Sequence, residues 1–153
     1  MTYEEIYSSF YLKETDPEFF RKLSKEDAYE RMCGWLHSVA AMPYVRKRFS
    51  TLTLNDELYE LTFELVNSID KTDNKASDTE FVKEVFAQGM VICWLKKEVD
   101  SVLNTAKVMG TKEEKMMLNN YKPNIARLEG LERDLKKFIR DYGYFNNSYI
   151  GES

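Results

Sequence analysis

The sequence contains few of the residues on which enzyme and metal sites usually depend. Its 153 residues include one histidine, two cysteines, three prolines and six glycines. One histidine with two widely separated thiols argues against a zinc site. The sequence has none of the motifs of nucleotide-binding glycine loops, zinc peptidases or EF-hand calcium loops. We therefore predict no catalytic, metal-binding or cofactor-binding residue, and we expect that the protein is not an enzyme and uses no cofactor.

The charge balance excludes a second class, the general nucleic-acid binders. The formal net charge is −4 and the isoelectric point is about 5.2, whereas such binders carry a basic surface and a high isoelectric point. Hydrophobic residues make up 43% of the chain, which is too many for a disordered protein. The length suits one domain, and the scarcity of proline and glycine leaves room for long helices.

The longest apolar run, "EVFAQGMVICWLKKEV", covers residues 84–99. A membrane helix needs about 20 largely apolar residues, but the uncharged part, Val85 to Leu95, has only eleven. Ser77 and Glu80 have the spacing of a helix-capping box. We therefore predict no membrane span and a helix over residues 78–107 at the centre of the core. Its most buried side chains should be Phe86, Met90, Cys93 and Trp94.

Three other helix starts carry comparable signals. A capping box at Thr2–Glu5 opens a short first helix, and Ser24 opens a second one that must end at or shortly before Pro43. Thr111 opens a long last helix after Gly110. The positions expected to face inward are Tyr3, Tyr7, Ile6 and Phe10 in the first helix, Ala28, Met32, Trp35, Leu36 and Val39 in the second, and Tyr121, Ile125, Leu128, Leu131, Leu135, Phe138 and Tyr142 in the last.

Two residues are expected to interrupt or end the last helix. Pro123 lies inside it, so we expect a kink or a restarted helix near residues 120–124. Gly143 follows the last apolar position and should end the helix. The chain therefore divides into a single helical domain, residues 1–143, and an aromatic C-terminal tail, residues 144–153.

Residues 49–66, "FSTLTLNDELYELTFELV", fit two patterns. Leu54, Leu58, Leu61 and Leu65 are spaced as on one face of a helix. Leu52 and Leu54, and then Leu61, Phe63 and Leu65, alternate as in the strands of a β-hairpin. The enrichment of both runs in β-branched and aromatic residues favours this hairpin. The predicted fold class is mainly α: a helical bundle with a long C-terminal helix and a small β-hairpin insertion at about residues 49–66.

The single histidine and the two cysteines are interpreted as structural residues. His37 lies in the second helix with no nucleophile or second acid marked nearby, so we interpret it as a helix-surface side chain rather than a general base. Cys33 and Cys93 lie in apolar surroundings and are interpreted as small core residues.

Two segments remain candidates for binding. Arg46, Lys47 and Arg48 form the densest basic cluster, which could contact DNA in a channel or an acidic partner, or form a solvated loop. In the tail, Tyr144, Phe145, Tyr149 and Ile150 are costly to leave in water. They could anchor a partner or fold back on the first helix.

Three stretches, taken in order, resemble a family of small virion proteins of tailed bacteriophages, the head-to-tail connector (neck or adaptor) proteins. They are the opening "MTYEEIYSSF", the core "FVKEVFAQGMVICWLKKEVDSVLNTAKVMGTKE" and the closing "LEGLERDLKKFIRDYGYF". The shared features include the Trp94-Leu95 pair and the step from Gly110 to Glu113. The resemblance covers about two thirds of the chain and departs from the family pattern at residues 50–76.

The resemblance implies a structural role and no catalytic residue. Such proteins are mainly helical and form a homo-oligomeric ring, here expected to be twelve-fold, beneath the portal protein. Their partners are the portal, the neck or tail proteins, and DNA passing through the channel, and their location is the virion neck after assembly in the bacterial cytoplasm. Another virion role, such as tail terminator or minor capsid-associated protein, and a small phage-encoded host-interaction protein are the alternatives.

Overall fold

The computed structural model describes residues 1–13, 23–66 and 76–145, which form a mainly helical fold with one small antiparallel sheet. The predicted fold class is thereby confirmed, including the long C-terminal helix and the hairpin. The elements in chain order are α1 (Tyr3–Lys13), α2 (Lys25–Ala41), α3 (Pro43–Arg46), β1 (Phe49–Asn55), β2 (Glu60–Leu65), α4 (Ala76–Ala106) and α5 (Thr111–Phe145).

Helix α4 is the hub of the core, because α1, α2 and α5 all pack against it. Phe86 and Met90 are fully buried and Trp94 is almost so, as predicted, whereas Cys93 is only half-buried. Gly89 allows α2 to pack closely on α4, because a Cβ at this position would lie 2.6 Å from Cγ2 of Val39 in α2. None of the helices in the described part of the chain is long and apolar enough to cross a membrane.

Helix α1 is fixed at its start by local and distant hydrogen bonds. The predicted capping box is present: Thr2 N–H donates to Glu5 Oε2 (2.9 Å), and Glu5 N–H donates to Thr2 Oγ1 (3.3 Å). The backbone of the first residues also pairs with the hairpin, since Tyr3 N–H donates to Tyr59 O (2.8 Å). All four side chains predicted to face inward from α1 are buried.

Helix α2 begins and ends where the sequence predicts. Ser24 Oγ accepts a hydrogen bond from Asp27 N–H (3.1 Å), and the last helical residue, Ala41, lies two positions before Pro43. The inward face predicted for α2 is confirmed, since Ala28, Met32, Trp35, Leu36 and Val39 are all buried.

Residues 49–65 form the predicted β-hairpin, with Leu54 opposite Leu61 and a bulge between Phe49 and Thr51. Asn55 Oδ1 accepts hydrogen bonds from two backbone N–H groups of the turn. Tyr59 has a left-handed backbone, with φ of 54°. The helical alternative is excluded; it would have placed Leu58 with the inward-facing leucines, and Leu58 is 66% exposed.

The end of α4, the connecting turn and the start of α5 form a helical arm, defined as residues 100–122. Between Val99 and Leu135 the only buried hydrophobic side chain is Ala106. At about 1.5 Å per residue, the 35 residues of α5 extend over roughly 50 Å. Val108, Met109 and Met116 are exposed around the tip of this arm.

Two predicted details of the helices are wrong, and one of two alternatives for a third is excluded. Ser77 is not the cap of α4, because the helix already begins at Ala76. Of the two outcomes expected at Pro123, the restarted helix is excluded, because α5 is one helix from Thr111 to Phe145. Gly143 does not end this helix. Glycine in place of alanine destabilises a helix by only about 1 kcal/mol. At the preceding residue, the Tyr142 ring stacks on Phe81, with ring centroids 3.7 Å apart, and the Tyr142 hydroxyl donates a hydrogen bond to the buried Asp78.

Candidate functional site

A polar cluster lies where α1, α2 and the hairpin turn meet; we call it the Asp56 cluster, consisting of Tyr3, Cys33, His37 and Asp56. His37 Nε2 lies 2.8 Å from Asp56 Oδ1 and 2.9 Å from Oδ2. The Tyr3 hydroxyl donates to the same Oδ1 at 2.6 Å, and Cys33 Sγ lies 3.8 Å from it. One carboxylate thus interacts with a phenol, an imidazole and a thiol.

Local structure explains why these four side chains meet. Cys33 and His37 are four residues apart in α2, a spacing that places both on one helical face. Asp56 is the first residue after β1, in the turn that Asn55 organises. Tyr3 is positioned by the hydrogen bond of its own backbone to Tyr59.

The electrostatics of the cluster favour an ionised Asp56 and a protonated Cys33. Hydrogen bonds from Tyr3 and then from His37 lower the pKa of Asp56. Burial, followed by the negative charge of Asp56, raises the pKa of the Cys33 thiol. Burial is also the main cause that raises the pKa of Tyr3. The side chains of His37 and Asp56 are about half exposed, with 46% and 54% of their surface accessible, so small ligands can reach them.

The donor atoms of Cys33, His37 and Asp56 all lie within 4.8 Å of one another. Thiolate, imidazole and carboxylate are the three ligand types that zinc uses in proteins. Sequence reasoning counted the histidine and the thiols and missed this group, because Asp56 is 19 residues from His37 and joins it only through the fold. The helical i, i+4 spacing of Cys33 and His37 was the one available signal.

The basic cluster predicted from the sequence lies elsewhere. Arg46 ends α3, and Lys47 and Arg48 form the turn before β1, at the opposite end of that strand from Asp56. Arg46 Nη1 donates to Phe49 O at 3.2 Å. Arg48 Nε is buried without a hydrogen-bond partner in the described parts of the chain, and Lys47 is exposed. Only part of this cluster is therefore presented to solvent.

A groove is lined by residues of α2, α3, α4 and α5. Its lining combines apolar, basic and acidic groups, including Tyr44, Cys93, Lys96, Glu132 and Lys136. Lys136 Nζ lies 5.2 Å from the centre of the Tyr44 ring. Burial raises the pKa of the Cys93 thiol to about 11, with a smaller opposing effect from Lys96. This thiol is protonated near neutral pH and is a weak nucleophile.

The predicted tail residues fall into two groups. Tyr144 and Phe145 belong to the last turn of α5, so they continue the helix instead of beginning a tail. Tyr149 and Ile150 lie outside the described residues. The segment that follows the helix is therefore residues 146–153, two residues shorter than predicted.

Comparison with known proteins supplies no counterpart for the fold or for these sites. No protein-family model, no curated protein and no solved structure matches the chain significantly. Function must therefore be inferred from the residues of this chain and from the places that the fold gives them.

Proposed function

We propose that the protein is a structural component of tailed-phage virions: a head-to-tail connector that forms a ring below the portal and joins the capsid to the tail. The observation that carries the proposal is the placement of the three connector-like stretches. The first lies in α1, the second covers most of α4 and the start of α5, and the third lies at the end of α5. Both α1 and α5 pack directly on α4.

The segment that departs from the connector pattern lies almost entirely outside these three helices in the sequence. Residues 50–76 include nearly all of the β-hairpin and reach only the first residue of α4. A resemblance scattered over unrelated surface positions would carry less weight. Here it follows α4 and the two helices that pack on it, which is the unit that a family sharing one fold would be expected to retain.

The helical arm suits contacts between neighbouring subunits of a ring. Its two helices are largely exposed in the single chain, and their exposed faces carry mixed charges from Lys107 to Lys115. Such surfaces suit an interface of the polar, non-obligate kind better than a permanent one. In the proposed assembly the arm packs on the next copy and hides Met116.

Lys47, with the accessible part of Arg46, is proposed to face the channel or an acidic neighbour. A few phosphate contacts would hold DNA there without reading its bases. Replacing Arg46, Lys47 and Arg48 together by glutamine should leave particle assembly intact and reduce DNA retention. If the triple variant retains DNA like the wild type, these residues have no role in the channel.

The experiment that tests the function is a composition analysis of purified phage particles. Mass spectrometry should find this chain at a fixed copy number in complete particles, and electron microscopy should place a ring of it below the portal. Its absence from purified particles would refute the connector role and would favour a host-interaction protein. A position at the distal end of the neck would favour a tail terminator.

A further inference from the structure

We propose that Cys33, His37 and Asp56 form a binding site for a single zinc ion. The three residues come from two elements, α2 and the hairpin turn, and their donor atoms already lie within 4.8 Å of one another. The inference does not depend on the connector role, because it concerns the chain itself and can be tested on the isolated protein.

Two of the three ligand separations can be compared directly with those that zinc requires, and the third, from Cys33 Sγ to the His37 ring nitrogen, is within 4.8 Å. With zinc bonds of about 2.3 Å to sulfur and about 2.0–2.2 Å to nitrogen and oxygen, tetrahedral ligands lie roughly 3.4–3.6 Å apart. Cys33 Sγ and Asp56 Oδ1 are 3.8 Å apart, close to this separation. His37 Nε2 and Asp56 Oδ1, at 2.8 Å, must move apart by about half an ångström. Both side chains are half exposed, so there is space around them for that adjustment.

The surroundings of the cluster resemble the outer shell of a metal site. Tyr3, whose ring is buried, donates a hydrogen bond to Asp56 Oδ1 and so fixes the carboxylate. The Tyr7 hydroxyl lies close to the Cys33 thiol. Such groups orient the ligands of a metal and tune its affinity. Tyr3 and Tyr7 belong to α1, so a bound ion would link α1, α2 and the hairpin turn.

The chemical types of the three ligands determine which metal ions the site prefers. A thiolate and an imidazole favour zinc and related transition metals over magnesium and calcium, which prefer oxygen ligands. Three protein ligands leave a fourth position for water or for a group from another molecule. Binding would release the thiol proton of Cys33, since the thiolate is the form that coordinates metal.

The direct test is calorimetric titration of the reduced protein with Zn²⁺, together with Co²⁺ as a spectroscopic probe. We expect one ion per chain and a sulfur-to-cobalt charge-transfer band that reports Cys33. His37→Asn and Asp56→Asn should each weaken Zn²⁺ binding at least about tenfold, and Cys33→Ser should also remove the band. Tyr3→Phe, which spares the ligands, should weaken binding about 10- to 100-fold.

The second cysteine provides a matched control. Cys93 lies in α4, away from His37 and Asp56, so Cys93→Ser should bind zinc and show the cobalt band like the wild type. Circular dichroism identifies any variant that fails to fold, and the half-exposed positions 37 and 56 keep the test decisive if Cys33→Ser unfolds. The proposal is overturned if the wild type binds no zinc, or if the three ligand variants bind it unchanged, which would identify an adventitious ion only.

Discussion

At the scale of single residues, Gly89 determines how closely α2 and α4 approach. A Cβ at this position would lie 2.6 and 2.7 Å from the two Cγ atoms of Val39, which is itself fully buried and cannot move easily. Alanine normally stabilises a helix interior by about 0.5–1 kcal/mol relative to glycine. We nevertheless predict that Gly89→Ala destabilises the protein, by about 1–3 kcal/mol, because overpacking a core costs that much.

Gly34 in α2 is the matched control, since an added Cβ there meets no atom within 4 Å. Gly34→Ala should therefore stabilise the protein by about 0.5–1 kcal/mol. Denaturant unfolding of both variants measures the two effects. Equal effects of the same sign would mean that α2 and α4 are not packed as closely as the structure has them.

A second prediction at this scale concerns the ion pair of Lys13 and Glu84, which joins the end of α1 to α4 at 2.6 Å. Burial alone would raise the pKa of Glu84, but hydrogen bonds from Lys13 and Gln88 and the charge of Lys13 lower it overall. A depressed carboxyl pKa contributes stability above the unfolded pKa of about 4.3, and this contribution is lost as the pH falls.

Lys13→Met should therefore lower the free energy of unfolding by up to about 1 kcal/mol near neutral pH, the range of partly exposed ion pairs. The difference from the wild type should shrink as the pH falls below about 4. Lys83→Met is the control, because the ion pair of Lys83 with Glu80 lies within α4 and does not link two elements. A difference that stays constant with pH would show that Lys13 contributes packing and not charge.

At the scale of the elements, local signals were sufficient to predict most of the fold. The capping residues Thr2 and Ser24 and the breaker Pro43 act on their own neighbours, and the structure confirms all three. The prediction that Gly143 ends α5 was wrong because a distant contact, the stacking of Tyr142 on Phe81, stabilises the end of this helix. The Asp56 cluster was not predicted for the same reason, since no local sequence pattern links a hairpin turn to α2.

The end of α5 leads to a prediction about the tail. The last turn is held by Tyr142, which contacts Phe81 and Asp78 before residue 143 is reached. Of the two alternatives left open by the sequence, we expect the tail to dock on a virion partner. Deletion of residues 146–153 should then leave the thermal unfolding temperature of the free chain unchanged and should remove the protein from phage particles. A large loss of stability would instead favour a tail that folds back on α1. Substituting serine for Tyr149 and Ile150 in the full-length chain is the milder control.

At the scale of the whole molecule, the described surface is polar, and its large exposed apolar groups are dispersed. Tyr11 and Leu12 lie near the end of α1, Leu58 and Tyr59 at the hairpin turn and Val66 just after β2, whereas Val108, Met109 and Met116 lie around the tip of the arm. Permanent oligomers usually bury larger and more apolar surfaces than these. The ring proposed for the virion should therefore need a template, with the portal supplying the first contacts.

We predict that the isolated full-length protein is monomeric or weakly associated at about micromolar concentration. Analytical ultracentrifugation measures this directly, and adding the portal protein of the same phage should shift the chain into a large complex. Raising the salt concentration should weaken that complex, because dissolved ions screen the attraction between exposed charges. The screening (Debye) length is about 10 Å at 0.1 M salt and becomes shorter as salt is added. A stable large ring of the isolated chain would contradict the prediction. It would mean that the arm, with Met116 at its exposed tip, forms a stronger interface between copies than its mixed charges suggest.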